Sequence, residues 1–292
     1  FAEAQFVNGI HVSAVWTSQA ERMQCQLKEL MVGSYEELLG KVDAVYIRSL
    51  PELHYEQAKK ALSMGKSVLC EAPLTLNETE TLELFSIAEE NHGILMEAIK
   101  TAYSTAFSRL LLLVKGGKIG KIISVDATCT SLRKDATDWP GIYEWGPTAL
   151  LPIFALLGTE FKSETILFQD QKQVDIFAKM EFIFKNAVAS ASVGDGVKSE
   201  GELIISGTKG YAYVPAPWWK TDYFELRYED PSENRRYFYQ LDGEGIRYEL
   251  VAFARAVEKG KALPNISLQT TKAISETMGQ FAKRENCTVI RG

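Results

Sequence analysis

Two short stretches of the sequence decide its fold: Ser49-Leu50-Pro51-Glu52-Leu53-His54 and Gly65-Lys66-Ser67-Val68-Leu69-Cys70-Glu71-Ala72-Pro73-Leu74. The segment that links them, Leu53–Met64, has helical spacing, and Gly65 stands where a helix C-terminus prefers a glycine. The apolar segments Val42–Ile47 and Ser67–Cys70, on either side of this helix, are typical of buried parallel strands. Together they predict a strand–helix–strand unit with a right-handed crossover.

The same alternation continues on both sides of that unit. Asn77–Glu90 is predicted to be an amphipathic helix with an asparagine cap, and Gly93–Glu97 to be the next strand. Upstream, His11–Trp16 is predicted to be a short buried strand. After a helix predicted at Phe107–Gly117, the pattern changes to strands with hairpin-like spacing, and two helices follow them. The whole pattern predicts an α/β domain with a parallel sheet, followed by an α+β domain with a mostly antiparallel sheet.

Composition and charge argue against several classes of function. The chain has 292 residues, a net charge of -6 and no segment in which lysine and arginine collect, so we expect no nucleic-acid partner. Its apolar runs, such as Ala149–Leu157, are too short to span a membrane, and no export leader opens the sequence. The four cysteines are widely spaced and only three histidines occur, which favours reduced thiols in the cytoplasm and argues against a metal site.

The motifs, taken in order, resemble the glucose-fructose oxidoreductase / inositol dehydrogenase (Gfo/Idh/MocA) family. That family reads roughly T-P-x-x-x-H, then a helix, then G-K-H-V-x-x-E-K-P, and the two opening stretches follow this pattern. Five further segments match the family's next strand, its G-x-I-G-x turn, its D-x-G-x-H/Y…L-G segment, its G-T-x-G hairpin and its closing helix. They are, respectively, Leu95–Ala98, Gly117–Lys121, Gly146–Gly158, Gly207–Gly210 and Arg247–Gly260.

The resemblance implies a Rossmann-like NAD(P)-binding domain over residues 1–105 and an α+β substrate and oligomerisation domain with a large, open-faced sheet over residues 106–292. It also implies hydride transfer between NAD or NADP and a sugar or sugar derivative. A homo-oligomer, in the simplest case a dimer through the open sheet face, is implied as well. In such domains a Gly-rich phosphate loop follows the first strand. Because the sequence starts at Phe1 inside the helix that follows, this strand and loop are expected upstream or are absent.

Several positions that are catalytic in the family are altered here. The lysine of E-K-P is replaced by Ala72, which can neither donate a proton nor hold a charge. The usual histidine or tyrosine is replaced by Thr148, whose hydroxyl is a weak base without an activator. Glu144 occupies the acidic position of the same motif, Glu71 keeps the acid of E-K-P, and Lys100 could supply the lost ammonium group. We therefore take Glu71, Lys100, Glu144 and Thr148 as candidate catalytic residues.

Strand ends and the turns that follow them supply the candidate cofactor-binding residues. They are Thr17, Ser18, Arg22, Ser49, Leu50, His54, Glu71 and Pro73. The turn Thr17–Gln19, which follows the predicted strand His11–Trp16, carries no acid for the ribose of NAD, and this slightly favours NADP. Arg22 lies one helical turn later. For His54 and Pro73, a structural role in ordering the loop is the alternative.

Two functions remain open at this point. The first is an NAD(P)-dependent oxidoreductase whose site is weakened or relocated. The second is a non-catalytic module or subunit that keeps the fold and binds a nucleotide or sugar. The aromatic segments Tyr143–Trp145 and Pro217–Trp219 border the predicted cleft, where they are compatible with binding the apolar face of a sugar, with packing in the core, or with subunit contacts.

Overall fold

The computed structural model describes residues 2–19, 25–132, 141–171, 174–262 and 265–290. Its first part is a three-stranded parallel sheet in the order β1–β2–β3. The elements of this part are α1 (Tyr35–Lys41), β1 (Ala44–Ile47), α2 (Pro51–Ser63), β2 (Ser67–Glu71), α3 (Glu78–Glu90) and β3 (Leu95–Ala98).

Local sequence signals set the starts of these helices. The side chain of Ser34 accepts a hydrogen bond from Glu37 N at the start of α1, and Asn77 Oδ1 accepts one from Glu80 N at the start of α3. Pro51 occupies the first turn of α2, where its missing N–H costs nothing. These caps satisfy donors that every helix start leaves unpaired.

The two faces of the parallel sheet are covered by different parts of the chain. Val45 and Val68 point into a core formed with α2 and α3. Leu69 and Met96 point to the other face, into a core that continues into the second half of the chain. Side chains alternate between the faces of a strand, so burial on both faces explains the nearly continuous apolar sequence of these strands.

The second part is a nine-stranded sheet in the order β11–β10–β9–β8–β4–β7–β6–β5–β12. Its strands are β4 (Ile122–Ser131), β5 (Ser163–Gln171), β6 (Val174–Ile183), β7 (Val188–Asp195), β8 (Leu203–Gly207), β9 (Tyr211–Val214), β10 (Tyr223–Arg227), β11 (Arg235–Phe238) and β12 (Cys287–Ile290). Neighbours are antiparallel except for the pairs β4–β7 and β5–β12. The predicted fold class, a Rossmann-like domain followed by a mostly antiparallel sheet, is confirmed.

Five helices connect and cover the two sheets. They are α4 (Lys100–Tyr103), α5 (Thr105–Lys115), α6 (Gly141–Leu157), α7 (Ile246–Lys259) and α8 (Leu268–Lys283). The helix α6 packs on β4, β6 and β7, and α8 packs against both α6 and α3. In this way α8 joins the two sheets, while α4 and α7 pack against each other beside the end of β3.

The prediction of a strand at His11–Trp16 is wrong, because the structure has no strand over these residues. Val15 forms only an isolated parallel bridge with Met31, because its N–H donates to Leu30 O and its carbonyl accepts from Val32 N without further ladder bonds. Two strands without a clear sequence signal, β5 and β12, lie at the far edge of the large sheet. Within the described ranges no helix is long and apolar enough to cross a membrane, and no group of three or more His, Cys, Asp or Glu residues could hold a metal ion.

Candidate active site

Tyr46 and Glu71 meet on one face of the parallel sheet, close to the carboxyl ends of its strands. Tyr46 pairs with Leu69 in the register of β1 and β2, and Glu71 lies two residues further along, on the same face. The Tyr46 hydroxyl donates a hydrogen bond to Oε1 of Glu71. Loss of hydration and the neighbouring carboxyl groups raise the pKa of Tyr46, so its hydroxyl remains a donor. Since open α/β sheets bind ligands at this edge, Glu71 is an acidic group placed at the ligand side.

The turn that follows Glu71 is held by His54. The peptide bond between Ala72 and Pro73 is cis. The His54 ring is fully buried, with Nδ1 2.8 Å from Pro73 O and Nε2 3.1 Å from Ser49 O. Burial lowers the pKa of His54, so the neutral ring has one N–H to donate. The shorter distance indicates that Nδ1 donates it to Pro73 O, while Nε2 only lies against Ser49 O. Because His54 belongs to the start of α2, this one bond ties the turn after β2 to the segment that follows β1.

Glu97 supports the same turn from the opposite face of the sheet. Its Oε1 accepts a hydrogen bond from Leu74 N at 3.1 Å, while Oε2 has no partner among the described residues. Burial raises the pKa of Glu97 to about 7. The Tyr103 hydroxyl donates to the backbone carbonyl of Glu97 at 2.8 Å. Glu97 thus holds the turn after β2 from the face of the sheet opposite to Glu71.

A second acid, Glu249 of α7, is close enough to Glu71 for the two charges to interact. It is fully buried, and neither of its carboxyl oxygens has a hydrogen-bond partner among the described residues. Burial raises the pKa of Glu249 to about 8, the Glu71 charge adds to the rise, and Lys100 opposes it. Lys100 begins α4, and Gly245, just before α7, packs against it. A Cβ added at Gly245 would lie 3.3 Å from Lys100 Cβ, which is a tight contact. The predicted lysine therefore lies beside the acids of the site.

The helix α6 supplies the wall that carries Glu144 and Thr148. These residues are four apart and lie on the same face of the helix. Glu144 is exposed, yet partial desolvation, followed by the charges of Asp195 and Glu71, raises its pKa, while Arg48 and Lys100 oppose the rise. Charged residues from the ends of β1, β2 and β7 and from the start of α4 thus lie close enough to Glu144 to act on its charge.

Two tryptophans form an aromatic pair beside this wall. The rings of Trp145 and Trp219 are 4.9 Å apart between centroids. Trp145 Nε1 donates to Ser131 Oγ at 3.3 Å, and that hydroxyl donates to Asp195 Oδ1 at 3.0 Å. The backbone carbonyl of Trp219 accepts a bond from Thr101 Oγ1 at 3.1 Å, one residue after Lys100. The Trp145 ring is held by its own hydrogen bond and Trp219 by its backbone carbonyl, and both side chains are partly accessible.

The predicted cofactor residues fall into two groups. Thr17 and Ser18 lie in a turn after Val15, where Gln19 N donates to Thr17 Oγ1 at 3.1 Å. The Ser49 hydroxyl donates to Gln57 Oε1 at 2.7 Å, and Leu50 is 54% exposed at the ligand edge. Pro73 is buried in the turn that His54 holds. Arg22 lies outside the described residues.

Sequence reasoning missed Tyr46, Glu249, Ser131 and Asp195. A signal existed for the first two. Tyr46 is the outward-facing residue between two buried ones in β1. Glu249 sits on the core-facing stripe of α7 with Leu250 and Phe253, where an acid is out of place. For Ser131 and Asp195 no local signal exists, because their pairing across β4 and β7 depends on the register of the large sheet.

Comparison with known proteins finds a family match for the first part of the chain and relatives for most of its length. Residues 2–99 match the family model described as "Oxidoreductase family, NAD-binding Rossmann fold". The chain is 27% identical over 271 residues to trans-1,2-dihydrobenzene-1,2-diol dehydrogenase of Bos taurus, covering 86% of this chain and 80% of that protein. It is 36% identical over 110 residues to scyllo-inositol 2-dehydrogenase (NADP(+)) IolU of Bacillus subtilis (strain 168), covering 36% of this chain and 34% of that protein.

A solved structure shows the same fold. The 3-ketoreductase KijD10 from Actinomadura kijaniata, in complex with NADP and TDP-benzene, superposes with a TM-score of 0.85 at 20% identity. The superposition covers 100% of this chain and 94% of the ketoreductase.

The motif order, the two-sheet fold and these matches agree. Residues 2–99 carry the NAD-binding Rossmann domain of the Gfo/Idh/MocA oxidoreductase family, and the chain as a whole is similar to NAD(P)-dependent oxidoreductases. The family assignment made from the sequence is confirmed, and so is NAD or NADP as the cofactor class. The non-catalytic alternative is not favoured, because the relatives found by sequence are dehydrogenases.

Proposed function

We propose that this protein interconverts a secondary alcohol and a ketone on a cyclic polyol, sugar or sugar derivative, with NADP(H) as hydride carrier and Glu71 as the proton-accepting base. The observation that carries this proposal is the hydrogen bond from Tyr46 to Glu71 Oε1 at the ligand edge of the parallel sheet. It fixes the carboxylate and leaves Oε2 for a substrate hydroxyl. A fixed carboxylate supplies the base that Ala72 and Thr148 cannot provide.

The tryptophan pair supports a ring-shaped substrate. Trp145 and Trp219 present partly accessible aromatic faces beside Glu144, and such faces pack on the apolar side of a ring. The two curated relatives described above are named for a cyclic diol and for an inositol. We infer that Glu144 and Thr148, on the same face of α6, bind further hydroxyl groups of the ring, and that Lys100 balances the charge of the acids.

The residues at the strand ends fit a nicotinamide dinucleotide. Exposed Leu50 offers an apolar surface at the sheet edge, and Pro73 shapes the adjacent turn. Thr17 and Ser18 offer hydroxyl groups in a turn, Thr17–Gln19, that itself carries no acid, which favours the 2′-phosphate of NADP, with Arg22 as the expected cation. When bound, the dinucleotide accepts or supplies the hydride. We propose that His54 acts on the cofactor only through the loops that it joins.

The test is a turnover screen with cyclic polyols and diols, in which absorbance of the reduced nicotinamide is followed. We expect turnover with NADP, and we expect Glu71→Gln to lower kcat about 10²-fold or more through loss of the base. Glu56→Gln, an exposed acid on α2, is the matched control and should keep the wild-type kcat. An unchanged kcat in Glu71→Gln would refute Glu71 as the base.

We also propose that two copies pair through the open face of the large sheet. This face exposes Phe238 to 65% and Tyr211 to 36%, and the Arg227 guanidinium lies 4.4 Å from the Tyr213 ring centroid. Aromatic and arginine side chains are enriched in protein interfaces. Phe238→Glu should convert the dimer into a monomer in analytical ultracentrifugation, and a wild-type sedimentation coefficient in this variant would contradict the proposal.

Two smaller proposals complete the picture. We place the domain boundary near residue 105, because Ser104 separates α4 from α5 there. We place the protein in the cytoplasm, because Cys70, Cys129 and Cys287 are free thiols. Limited proteolysis and cell fractionation test these two points.

A further inference from the structure

The side chain of Trp219 lies on a glycine. Gly201, which precedes β8, is buried, and a Cβ added to it would lie 2.8 Å from Cζ3 and 2.9 Å from Cη2 of Trp219. The tip of the six-membered indole ring thus occupies the space that any other side chain at residue 201 would need. The φ angle of Gly201 lies outside the left-handed region, so glycine is required here for room and not for backbone conformation.

Hydrogen bonds hold the backbone on either side of this contact. Trp218 N donates to Gly201 O at 2.9 Å, and Trp218 Nε1 donates to Thr128 O at 3.1 Å. Trp218 itself is 2% exposed and belongs to the core. On the other side, Trp219 O accepts the bond from Thr101. Trp218 is therefore the buried anchor of this segment, and Trp219 is the ring that the segment presents beside α6.

The two rings of the aromatic pair differ in their polar edges. Trp145 Nε1 donates to Ser131 Oγ. Trp219 Nε1 has no hydrogen-bond partner within the described ranges, and it is not one of the buried unpaired atoms found there. The indole N–H of Trp219 therefore reaches the surface, where it can donate to a ligand oxygen. Together the rings offer carbon surface and one unpaired donor.

The spacing of the two rings limits how a ligand packs on them. Their centroids are 4.9 Å apart, and their planes are tilted by 56°. A ring held between two aromatic faces needs about 9 Å, which is twice the shortest stacking distance of about 4.5 Å. No ring therefore fits between Trp145 and Trp219, so a cyclic ligand packs across the pair with one face and keeps its other face free.

We propose that Gly201 is a specificity-determining residue: by leaving room for the Trp219 ring, it sets a one-sided indole platform that binds cyclic alcohols in preference to open-chain ones. This inference rests on the proposed function, in which the substrate is a ring alcohol. The C–H groups of the ring pack on Trp145 and Trp219, and the indole N–H of Trp219 donates to a ring hydroxyl. An open chain makes the same contacts only after its bond rotations are frozen, which costs conformational entropy.

The variant Gly201→Ala tests the platform without touching the acids of the site. At close range its Cβ meets only the end of the Trp219 side chain, since the next atom, Thr128 O, is 3.7 Å away. We therefore expect the Trp219 ring to turn away from Trp145 while the fold is kept. Gly40→Ala, whose Cβ meets nothing within 4 Å, is the matched control.

The position of the ring is followed by ¹⁹F NMR. The protein is labelled with 7-fluorotryptophan, which carries fluorine on neither Cζ3 nor Cη2, and the variants Trp145→Phe and Trp219→Phe assign the two resonances. Gly201→Ala should shift both resonances, and Gly40→Ala should shift neither. Unmoved resonances in Gly201→Ala overturn the proposal, because the glycine would then not set the ring.

Ligand binding is measured with the same resonances in the presence of NADP. The cyclic probe is trans-cyclohexane-1,2-diol, and hexane-1,2-diol is its open-chain counterpart with the same number of carbons. We expect the wild type to bind the cyclic diol more tightly by about 3- to 10-fold and Gly201→Ala to lose this preference. Trp219→Phe lacks Cζ3 and Cη2, so Gly201→Ala should change nothing further in that background. An equal preference in the wild type and Gly201→Ala overturns the proposal, and so does a cyclic diol that shifts neither resonance.

Kinetics separate this role from the chemistry. In turnover of the cyclic diol, Gly201→Ala should raise KM by the same factor and keep kcat within about twofold of the wild type. A loss of kcat at unchanged KM overturns the platform as the element that sets specificity. Absence of turnover in the wild type would refute the proposed function alone, because the ¹⁹F titrations still decide whether the platform selects a ring.

Discussion

Glu97 gives the clearest prediction for stability. Its pKa is raised from 4.5 to about 7 because the carboxyl group is buried, and its unfolded value is the ordinary one. Between these two values the folded state binds more protons than the unfolded state, so the free energy of unfolding falls as pH rises. The stabilising contribution of the protonated form is fully present below pH 4.5 and is lost by the time pH passes 7. The Cys70 thiol and the Tyr103 phenol beside it stay neutral across this window, because burial raises both pKa values.

The magnitude follows from the size of this shift. The difference between 4.5 and about 7 is about 2.5 pKa units, and at about 1.4 kcal/mol per unit the upper limit is roughly 3.5 kcal/mol. Glu97→Gln keeps an acceptor for Leu74 N and cannot ionise. Relative to the wild type, its free energy of unfolding should therefore grow by about 2–3 kcal/mol from pH 5 to pH 8.

Urea unfolding at pH 5, 6, 7 and 8 is the assay, followed by fluorescence and circular dichroism. Glu164, Asp175 and Glu249 also have raised pKa values and contribute a falling slope, but they are the same in both proteins and cancel in the difference. Glu89→Gln, an exposed acid on α3, should follow the wild type at every pH. A constant difference between Glu97→Gln and the wild type would refute the reasoning.

Two further predictions concern packing around the site and the hairpin. Gly207→Ala would place a Cβ 2.2 Å from Ile119 O, so it should destabilise the fold by about 2–4 kcal/mol in thermal unfolding. The control is Gly40→Ala, whose Cβ would meet nothing within 4 Å, and it should be neutral or slightly stabilising. His54→Ala removes a fully buried ring and its bond to Pro73 O and should cost about 2–4 kcal/mol in urea unfolding. A stability within about 0.5 kcal/mol of the wild type would contradict that role.

The parallel part of the fold could be predicted because its signals are local. The Asn77 cap and the Gly65 turn stand at their expected places, and the buried strands β1 and β2 carry apolar residues on both faces. The strand predicted at His11–Trp16 was wrong, because an apolar segment forms a strand only when a neighbouring strand pairs with it along its length. Only Val15 has such a partner. Strand β12 pairs with β5 across more than a hundred residues of sequence, which no local pattern reveals.

Only some residues of the candidate site could be predicted from the sequence. The sequence alone shows that Ala72 and Thr148 replace the family's lysine and its histidine or tyrosine, and that Glu71 keeps the acid of the same motif. The hydrogen-bond partner of Glu71 could not be predicted, because Tyr46 reaches it only through the register of two strands. The role of His54 likewise depends on a turn that brings Pro73 O within hydrogen-bonding distance.

The measurement that tests the central claim most directly is hydride transfer under single-turnover conditions. Wild-type protein and Glu71→Gln are mixed with NADP and a cyclic diol or inositol, and the absorbance of reduced nicotinamide is recorded over a range of pH. The account predicts reduced nicotinamide in the wild type and a rate that is lower by about 10²-fold or more in Glu71→Gln. Equal rates in the two proteins, or binding of NADP without any hydride transfer to or from a ring alcohol, would contradict it.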